Sequence, residues 1–315
     1  MKPFIVVSDG MDKEVFEKLQ QVSEFEVHPK SKVTGEELTA LLPKINGLVI
    51  RSATTVTPEL LSKAPNLKYV IRAGEGTDNI DKKKCQEVGV KVSNTPGANN
   101  NSAAEHAIAL MLTVLRKTAW AHQTMVEGKW DKNSFTGNEL SNKKIGIVGF
   151  GRIGQIVAKR LWGFEPEVLF FDPFIETSEL PYARKAKDLE EIFSTCDIIS
   201  IHTPLMDATK GLVSKTLIEK MQPHAILVNA ARGGIVDEQA LFEALKNNKI
   251  RGAGFDVFKT EPLEENSELR KLQNIVLTPH LGASTEEAQL RVGLIAVDQL
   301  KEFFINDNLL NEVRS

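Results

Sequence analysis

The stretch from Lys144 to Gly154, KIGIVGFGRIG, joins a short apolar run to the pattern G-x-G-x-x-G and leads into the helical pattern GQIVAKRLW. The apolar run predicts a buried strand. Gly149 permits a tight turn, Gly151 lets the backbone approach a pyrophosphate, and Gly154 permits close packing of helix on strand. The N-terminus of the helix would then face the pyrophosphate. The stretch therefore predicts the dinucleotide-binding turn of a parallel α/β sheet.

Five further apolar runs share this layout, and each ends in a residue suited to holding or transforming a small molecule. The runs are EVLFFD, DIISIHT, AILVNAAR, GAGFDV and NIVLTPH, ending at Asp172, Thr203, Arg232, Asp256 and His280. Short apolar runs between helical stretches are typical of buried strands in a parallel sheet. Because ligands bind outside the carboxyl ends of such strands, we expect the six strand ends to meet at one ligand site.

Asp172 indicates which dinucleotide would bind. It ends the next strand 23 residues after Gly149, where a ribose-binding carboxylate belongs. Pro173 and Phe174 follow it, so no cation is placed there for a 2′-phosphate, which the carboxylate would repel. The alternative is a glycine turn without a ligand. In this context the sequence favours NAD as the cofactor over NADP.

Composition argues against several other classes of partner. The net charge of −3 gives no basic field for nucleic acid. Cys85 and Cys196 are too few for a disulfide framework or a zinc site, so we expect buried thiols in a reducing compartment and no metal. No apolar stretch reaches about 18 residues, so we expect no membrane span. The N-terminus turns charged after a short apolar run, which does not fit a signal peptide. We expect a cytoplasmic protein.

Residues 1–97 show a second alternation of apolar runs and helical patterns: FIVVSD, FEVHP, GLVIRS, KYVIRAG and VKVSNTPG. This alternation predicts a second, smaller parallel α/β unit. The helical segment Ser102–Lys117 would bridge the two units. A last helix, from about Thr285 to Ile305, has no strand after it and is expected to return to the first unit.

The predicted architecture is therefore α/β with two parallel-sheet domains and a cleft between them. A Rossmann dinucleotide-binding domain would be inserted into a discontinuous, flavodoxin-like substrate domain. The boundaries we expect are 1–98 for the first part of the substrate domain, 99–285 for the NAD-binding domain and 286–315 for the returning helix.

Arg232 and His280 carry the clearest candidate chemistry. A guanidinium forks onto a carboxylate through two hydrogen bonds, so Arg232 suits a substrate carboxylate. The alternative is a surface arginine paired with Asp237 or Glu238. Histidine is the side chain that titrates nearest neutrality, so His280 could both take and return a proton. The other five histidines, including His106 and His202, are expected to be structural or solvated.

Glu261, in DVFKTEPL, is a weaker candidate. A carboxylate beside an imidazole holds its orientation and favours its protonated form. The alternative is a solvated loop glutamate, and the residues alone favour that alternative.

The strings VGFGRIG, FDP, HTPL, NAARGGIVDE, GFDVFKTEP and TPHLGAST occur in this order, and with them the chain resembles the D-isomer-specific 2-hydroxyacid dehydrogenases over essentially its whole length. The resemblance implies an enzyme in which Arg232 binds the substrate, Glu261 supports His280, and His280 is the proton donor or acceptor. Beside the three glycines of the turn, the NAD contacts that it implies are Arg152, Ile153, Asp172, Thr203, Ala230, Ala231, Arg232, Asp256, His280, Gly282 and Ala283.

Within that family, VIRSATTVT, IRAGEGTDNID and NTPGANNNSAAEH look most like the D-3-phosphoglycerate dehydrogenases. The resemblance implies NAD-dependent oxidation of 3-phospho-D-glycerate to 3-phosphooxypyruvate, the first step of serine biosynthesis. The anionic substrate would contact Arg51, Ser52, Arg72, backbone N–H groups near Ala73 and Gly74, and Arg232, with Lys132 as a weaker candidate. The alternative for Arg51 and Arg72 is a solvated, salt-bridging role.

The chain departs from similar phosphoglycerate dehydrogenases in two places. They often carry a threonine where this chain has Glu75, whose carboxylate could repel an anion. The sequence also stops soon after its last helix, so we expect no C-terminal regulatory domain.

Two rival functions and an assembly follow from the same resemblance. The first rival is a hydroxypyruvate or glyoxylate reductase (D-glycerate dehydrogenase), and a more remote one is an NAD-sensing, corepressor-like binding protein. Ser102–Lys117 carries more apolar residues than one helix face needs, and in similar dehydrogenases this region forms a dimer interface. We therefore expect a homodimer, with a tetramer as the alternative.

Overall fold

The structure, a computed structural model, describes residues 1–314, and the chain divides into two compact units. The N-terminal unit comprises residues 1–99 and the segment from Ala283 onward, and the central unit comprises residues 100–282. Each unit contains one all-parallel sheet flanked by helices. This confirms the prediction of an α/β protein with two parallel sheets.

The described residues form twelve strands. They are β1 (Phe4–Val7), β2 (Glu26–Val27), β3 (Gly47–Ile50), β4 (Tyr69–Arg72), β5 (Lys91–Asn94), β6 (Lys144–Val148), β7 (Glu167–Phe171), β8 (Ala183–Lys185), β9 (Ile198–Ile201), β10 (Ile226–Asn229), β11 (Gly252–Phe255) and β12 (Ile275–Leu277).

The same residues form eleven α-helices. They are α1 (Lys13–Gln20), α2 (Gly35–Leu41), α3 (Pro58–Ser62), α4 (Lys82–Glu87), α5 (Asn100–Arg116), α6 (Thr118–Val126), α7 (Arg152–Leu161), α8 (Leu189–Thr195), α9 (Lys215–Lys220), α10 (Glu238–Lys246) and α11 (Glu286–Ile305). Short 3₁₀ turns lie at Leu42–Lys44, Asn133–Phe135, Trp162–Phe164 and Glu268–Lys271.

Capping side chains set many of the helix starts. An Asp or Thr just before the helix accepts a backbone N–H of the first turn, as Asp237 does from Ala240 and Thr285 does from Ala288. Such a cap satisfies one of the N–H groups that a helix start leaves without a partner. The same arrangement begins α1, α3, α4 and α8, at Asp12, Thr57, Asp81 and Asp188.

The N-terminal unit has a five-stranded sheet in the order β2-β1-β3-β4-β5. Apolar side chains of α1 and α11 pack with one face of the sheet, where Tyr69 and Leu300 are fully buried. Side chains of α2 and α4 pack with the other face. Since helices cover both faces, the strands read as continuous apolar runs in the sequence.

The central unit has a seven-stranded sheet in the order β12-β11-β10-β9-β6-β7-β8. Helices α5 and α7 pack on one face, and α8, α9 and α10 pack on the other. The six strands predicted from the apolar runs are all present, and β8 is an additional edge strand. Among the described helices, none is both long and apolar enough to cross a bilayer.

The two cysteines, Cys85 and Cys196, are buried and unbonded, as expected. Burial raises the pKa of Cys85 to about 11 and that of Cys196 to about 12. Because the thiolate is the reactive form, neither side chain is suited to act as a nucleophile.

Candidate functional site

The carboxyl ends of six strands line one edge of the central sheet. Strand β6 is flanked by β9 on one side and β7 on the other, so the chain leaves β6 first toward β7 and later returns to β9. Such a reversal of strand order is a topological switch point, and ligands of open α/β sheets bind at it. The turn after β6 therefore lies at the position where a dinucleotide would bind.

The glycine turn after β6 has the shape that a pyrophosphate needs. Gly149 has φ +90°, and a Cβ there would lie 2.6 Å from the carbonyl oxygen of His202. A Cβ at Gly154 would overlap the carbonyl oxygen of Gly149, whereas a Cβ at Gly151 would meet nothing within 4 Å. Helix α7 starts at Arg152 without a capping side chain. The open first turn of α7 fits an anionic group of a dinucleotide.

Asp172 is fixed at the end of β7 by two backbone groups. Its Oδ2 accepts the N–H of Phe150 at 2.8 Å, and its Oδ1 accepts the N–H of Phe174 at 2.9 Å. A carboxylate has about four lone-pair sites, so each oxygen retains capacity for a further donor. This geometry fits a carboxylate that receives ribose hydroxyl groups beside the glycine turn.

Thr203 and His202 lie at the end of β9, and they differ in character. The Thr203 hydroxyl oxygen is buried and has no hydrogen-bond partner among residues 1–314. An orphaned buried hydroxyl at this edge fits a place that a bound cofactor would complete. His202 Nε2 lies 2.8 Å from Ser200 Oγ, and burial lowers the pKa of His202 to about 4. His202 is therefore a neutral side chain bonded within its own strand.

The loop that carries Arg232 is held by Asn229, a residue that the sequence analysis did not single out. The Asn229 side chain is 1% exposed, donates to the Arg232 carbonyl at 3.0 Å and accepts the Ala231 N–H at 3.1 Å. Arg232 Nη1 donates to the carbonyl of Ala231 at 2.6 Å. A polar residue ending the apolar run AILVN was the signal that could have revealed this role.

Asp237 and Glu238, the two alternative partners of Arg232, both accept backbone N–H groups. Asp237 caps α10, and Glu238 Oε1 accepts the N–H of Lys259 at 2.5 Å. A Cβ at Gly233 would overlap the carbonyl oxygen of Phe258. The loop after β10 is therefore packed directly against the loop that carries Glu261.

His280 and Glu261 form a bonded pair. His280 Nδ1 lies 2.7 Å from Glu261 Oε2, and the two side chains are 29% and 35% exposed. Glu261 Oε1 also accepts the N–H of Phe258 at 2.9 Å. Burial raises the pKa of Glu261, but the hydrogen bonds from His280 and Phe258 outweigh it, so the pKa is lowered on balance. A charged carboxylate thus orients the imidazole through Nδ1 and leaves Nε2 for a proton transfer.

Asp256 follows β11 and is enclosed by the turn after β12. Its side chain is fully buried, and its oxygens accept Thr278 Oγ1 at 2.6 Å, the Leu281 N–H at 2.7 Å and the Gly282 N–H at 2.8 Å. Asp256 therefore holds the turn that contains His280. Its expected contact with NAD stays a prediction.

In the N-terminal unit, Asp9 shapes the loop that carries Arg51. Asp9 Oδ2 accepts the N–H of Arg51 at 2.6 Å and the N–H of Thr54 at 2.9 Å. The Arg51 side chain is half-buried, and burial lowers its pKa while the nearby Asp9 opposes that change. Ser52, next in the chain, is exposed. The Arg51 guanidinium is therefore a partly desolvated cation at a strand end.

Arg72 and the two residues after it make close contacts within the N-terminal unit. Arg72 is only 9% exposed, and its guanidinium occupies the space that a Cβ at Gly74 would need. The N–H groups of Ala73 and Gly74 donate to the carbonyls of Ile50 and Arg72, each at 2.8 Å. A bound carboxylate would have to compete with these bonds for the two N–H groups, and the expected substrate contacts of Arg72, Ala73 and Gly74 stay predictions.

Glu75, the departure from the family pattern, is tied to its own loop. Its Oε2 accepts the N–H of Gly97 at 2.7 Å, and Asn94 Nδ2 donates to its carbonyl at 2.6 Å. The Glu75 carboxylate thus has a structural partner in its own surroundings.

The remaining expected residues lie where the strand ends place them. Ile153 is in the first turn of α7, Ala230 and Ala231 follow β10, and Gly282 is buried in the turn after β12. Ala283 begins the segment assigned to the N-terminal unit, and Lys132 is exposed. Within residues 1–314, no cluster of three or more His, Cys, Asp or Glu side chains is placed to hold a metal ion.

Comparison with known proteins gives one family. Residues 108–282 match the sequence profile described as D-isomer specific 2-hydroxyacid dehydrogenase, NAD binding domain. A hydroxypyruvate reductase from Thermotoga maritima is 43% identical over 296 residues, which cover 93% of this chain and 96% of that protein. A D-3-phosphoglycerate dehydrogenase from Archaeoglobus fulgidus is 42% identical over 297 residues, covering 94% of this chain and 56% of that protein.

A solved structure agrees with these relatives. The NAD-bound 3-phosphoglycerate dehydrogenase of Entamoeba histolytica superposes with a TM-score of 0.83 at 28% identity, covering 100% of this chain and 99% of that one. The chain thus spans nearly the whole of the bacterial reductase but little more than half of the archaeal dehydrogenase.

Proposed function

Because the chain belongs to the D-isomer-specific 2-hydroxyacid dehydrogenases, with their NAD-binding domain at residues 108–282, we propose that it oxidises 3-phospho-D-glycerate to 3-phosphooxypyruvate with NAD. This reaction would be the first step of serine biosynthesis. The observation that carries the proposal is the His280–Glu261 pair, 2.7 Å apart at the strand-end edge that also bears the glycine turn. A base with an orienting carboxylate is what the removal of a hydroxyl proton requires.

Each proposed role follows from the chemistry of the side chain. Arg232 binds the substrate carboxylate through two parallel hydrogen bonds. His280 accepts the proton of the C2 hydroxyl at Nε2, and Glu261 stabilises the imidazolium that forms. The chemistry that NAD supplies is acceptance of the hydride released from C2. In the reverse direction His280 returns the proton to the oxo acid.

The residues proposed to hold NAD are those whose surroundings fit it. The glycine turn and the open start of α7 suit the pyrophosphate, and Asp172 suits the adenosine ribose. The orphaned Thr203 hydroxyl adds a further contact. We also propose that Arg152, Ile153, Ala230, Ala231, Gly282 and Ala283 line the cofactor.

The phosphorylated substrate is favoured by Arg51. Its charged group is partly desolvated in a loop that Asp9 fixes through two backbone N–H groups. A desolvated cation binds a phosphate more strongly than a solvated one. We propose that Arg51, with the adjacent hydroxyl of Ser52, binds the phosphate.

A second candidate function is the reduction of hydroxypyruvate. It is favoured by the Thermotoga maritima reductase, which this chain matches over 96% of that protein's length. Hydroxypyruvate lacks the phosphate, so this reading needs no role for Arg51. A corepressor-like binding protein would have peptide partners and no turnover. A pull-down with parallel rate measurements would distinguish this function from that of a dehydrogenase.

Steady-state rates test the proposal most directly. We expect kcat/KM with 3-phosphoglycerate to exceed that with D-glycerate, D-lactate and the other unphosphorylated acids, with hydroxypyruvate and glyoxylate measured in reverse. His280→Ala should lower kcat by about two to four orders of magnitude while NAD still binds, because general acid–base catalysis contributes about that much. Preferential turnover of hydroxypyruvate would replace the phosphoglycerate assignment, and an active His280→Ala variant would remove the acid–base assignment.

We further propose that the protein is a cytoplasmic homodimer. The apolar residues expected on α5 are largely covered within the central unit, because α5 packs against α7 and against β10 and β11. Exposed apolar side chains lie on α6, which has no buried side chain, and on the segment after it. Met125, Val126 and Trp130 are 52%, 68% and 83% exposed.

A further inference from the structure

His106 is a histidine of α5 whose ring reaches the turn after β12. Its side chain is 18% exposed. Its Nε2 lies 3.1 Å from Asp256 Oδ1 and 3.1 Å from Thr278 Oγ1. The ring therefore lies at the junction of two groups that build the turn carrying His280.

The hydrogen bonds around Asp256 fix the role of this nitrogen. Thr278 Oγ1 donates its proton to Asp256 Oδ1 at 2.6 Å, so the Thr278 oxygen is left as an acceptor. Asp256 Oδ1 is an acceptor as well, because the carboxylate is ionised. Burial raises the pKa of Asp256, but the bonds from His106 and Thr278 outweigh it and lower the pKa on balance. With acceptors on both sides, His106 Nε2 must carry a proton and donate it.

Asp256 also fixes the backbone conformation of the turn that carries His280. Its carboxylate accepts the N–H groups of Leu281 and Gly282, and its carbonyl accepts the N–H of His280 at 2.9 Å. His280 itself has φ +56°, a left-handed conformation that few side-chain-bearing residues adopt. Such a conformation persists when its surroundings determine it. Here the surroundings are the bonds of Asp256 to the residues on either side of His280.

We propose that His106 is a positioning residue for His280, acting through the Nε2–H that it donates to the buried carboxylate of Asp256. Without this donor, a buried charge loses one of its four hydrogen bonds, and the turn that it holds becomes less well fixed. The imidazole of His280 would then meet Glu261 less precisely. The proposal rests on the acid–base role proposed for His280, and it adds a residue 174 positions earlier in the chain to that role.

Two substitutions of His106 distinguish a hydrogen-bond donor from a side chain that only fills the space. His106→Gln carries an amide N–H that can replace the Nε2–H, whereas His106→Leu fills the space and donates nothing. We expect His106→Gln to keep kcat close to the wild-type value. His106→Leu should lower kcat by up to about a hundredfold, the effect of small displacements in a catalytic geometry, with the Kd for NAD unchanged. His122→Leu, an exposed histidine of α6, is the matched control and should change neither quantity.

A readout independent of turnover comes from proton NMR of the protein without substrate. The Nδ1–H that His280 shares with Glu261 should give a downfield resonance, assigned by its absence in His280→Ala. We expect it to persist in wild type and His106→Gln, and to shift or broaden in His106→Leu. If His106→Leu does not fold, as judged by its thermal melt, His106→Asn serves instead, since its shorter amide cannot reach Asp256.

Every outcome of these experiments either supports the proposal or overturns it. Unchanged kcat and an unchanged resonance in the folded non-donating variant would overturn the proposal. Equal damage from His106→Gln and His106→Leu would also overturn it, because a donor would then not suffice. If the resonance responds as expected but His280→Ala retains full turnover, the positioning stands and the proposed acid–base function fails instead.

Discussion

His280 Nδ1 lies 2.7 Å from Glu261 Oε2, and the other oxygen of the same carboxylate accepts the N–H of Phe258 at 2.9 Å. The second bond fixes the carboxylate, so the imidazole meets a partner that does not rotate away. The pKa of Glu261 is lowered on balance, despite the opposing effect of burial, so the pair carries a negative charge on Glu261 at neutral pH. That charge has a consequence for the pH profile.

Glu261→Gln should shift the rise of oxidation activity to lower pH. Oxidation needs a neutral imidazole as the base, and a neighbouring carboxylate stabilises an imidazolium, so loss of the carboxylate charge should favour oxidation at lower pH. The measurement is kcat/KM against pH, with Glu264→Gln, an exposed glutamate of the same loop, as control. An unchanged profile would mean that Glu261 does not act on His280.

Asp172 should give NAD a preference over NADP of at least about tenfold, roughly 1.4 kcal/mol. The fixed carboxylate would accept ribose hydroxyl groups and would repel a 2′-phosphate. Asp172→Ala should narrow the ratio of kcat/KM values for the two cofactors, whereas Glu176→Ala should leave it unchanged. Equal activity of the native enzyme with both cofactors would contradict this assignment.

Arg51→Ala should weaken kcat/KM for 3-phosphoglycerate by roughly ten- to a hundredfold. The loss of one charge-assisted, partly desolvated contact costs about 1.5–3 kcal/mol, and about 1.4 kcal/mol corresponds to a factor of ten. The loop should keep its shape, since Asp9 holds it through backbone N–H groups that the substitution retains.

An unphosphorylated 2-hydroxy acid is the control for Arg51, because it has no phosphate to lose. Arg232→Ala should impair both classes of substrate, since both carry the carboxylate. Equal impairment by Arg51→Ala would show that this arginine is structural, and the hydroxypyruvate reading would then lead.

Light scattering at micromolar concentration should give the mass of a dimer. Exposed apolar patches on a protein mark interaction surfaces, and Trp130, at 83%, is more exposed than Trp162, at 56%. Trp130→Asp should shift the protein toward monomer, whereas Trp162→Asp, an exposed tryptophan elsewhere in the central unit, should not. A monomeric wild type would contradict the proposed assembly.

His202 should make stability depend on pH. Burial lowers the pKa of His202 to about 4, below its ordinary value of 6.5. Its contribution is complete above pH 6.5 and is lost as pH falls toward 4, because the unfolded chain binds the proton more readily. A pKa shift of one unit corresponds to about 1.4 kcal/mol, and the partial exposure of the side chain reduces the effect. We therefore expect His202 to contribute about 1 to 3 kcal/mol to the free energy of unfolding.

Urea unfolding of wild type and His202→Gln at pH 7 and pH 5 measures this contribution. The variant should lose less free energy of unfolding between the two pH values than wild type. His122→Gln should behave like wild type, and identical losses in all three proteins would refute the expectation.

Much of the fold could be predicted from the sequence, because strands buried on both faces leave continuous apolar runs. The edge strand β8 was missed because Ala183, Arg184 and Lys185 are partly exposed and form no such run. Helix α6 was missed because none of its side chains is buried, so no periodic pattern marks it. Neither β8 nor α6 has a buried face, so neither leaves an apolar pattern in the sequence.

The sequence placed Gly149, Asp172 and His280 at strand ends, and the structure has them there; their roles toward cofactor and substrate stay predictions. Hydrogen bonds of backbone groups, by contrast, could not be predicted from the sequence. The N–H groups of Ala73 and Gly74 are used within the protein, and Asp256 is enclosed by donors from a turn more than 20 residues away. Asn229 and His106 act through groups that only the folded chain brings to them.

The close approach of Gly233 to the carbonyl oxygen of Phe258 has a consequence for protein engineering. The loop after β10 and the loop ending at Glu261 share one interface, so a library that diversifies either alone will mostly yield clashes. By contrast, the loop from Arg51 to Thr54 is held by Asp9 and Asn79 through its backbone, and Ser52 and Ala53 within it are exposed. New substrate ranges on this scaffold should therefore be sought by varying Ser52 and Ala53, with the Arg232 and Glu261 loops inherited together.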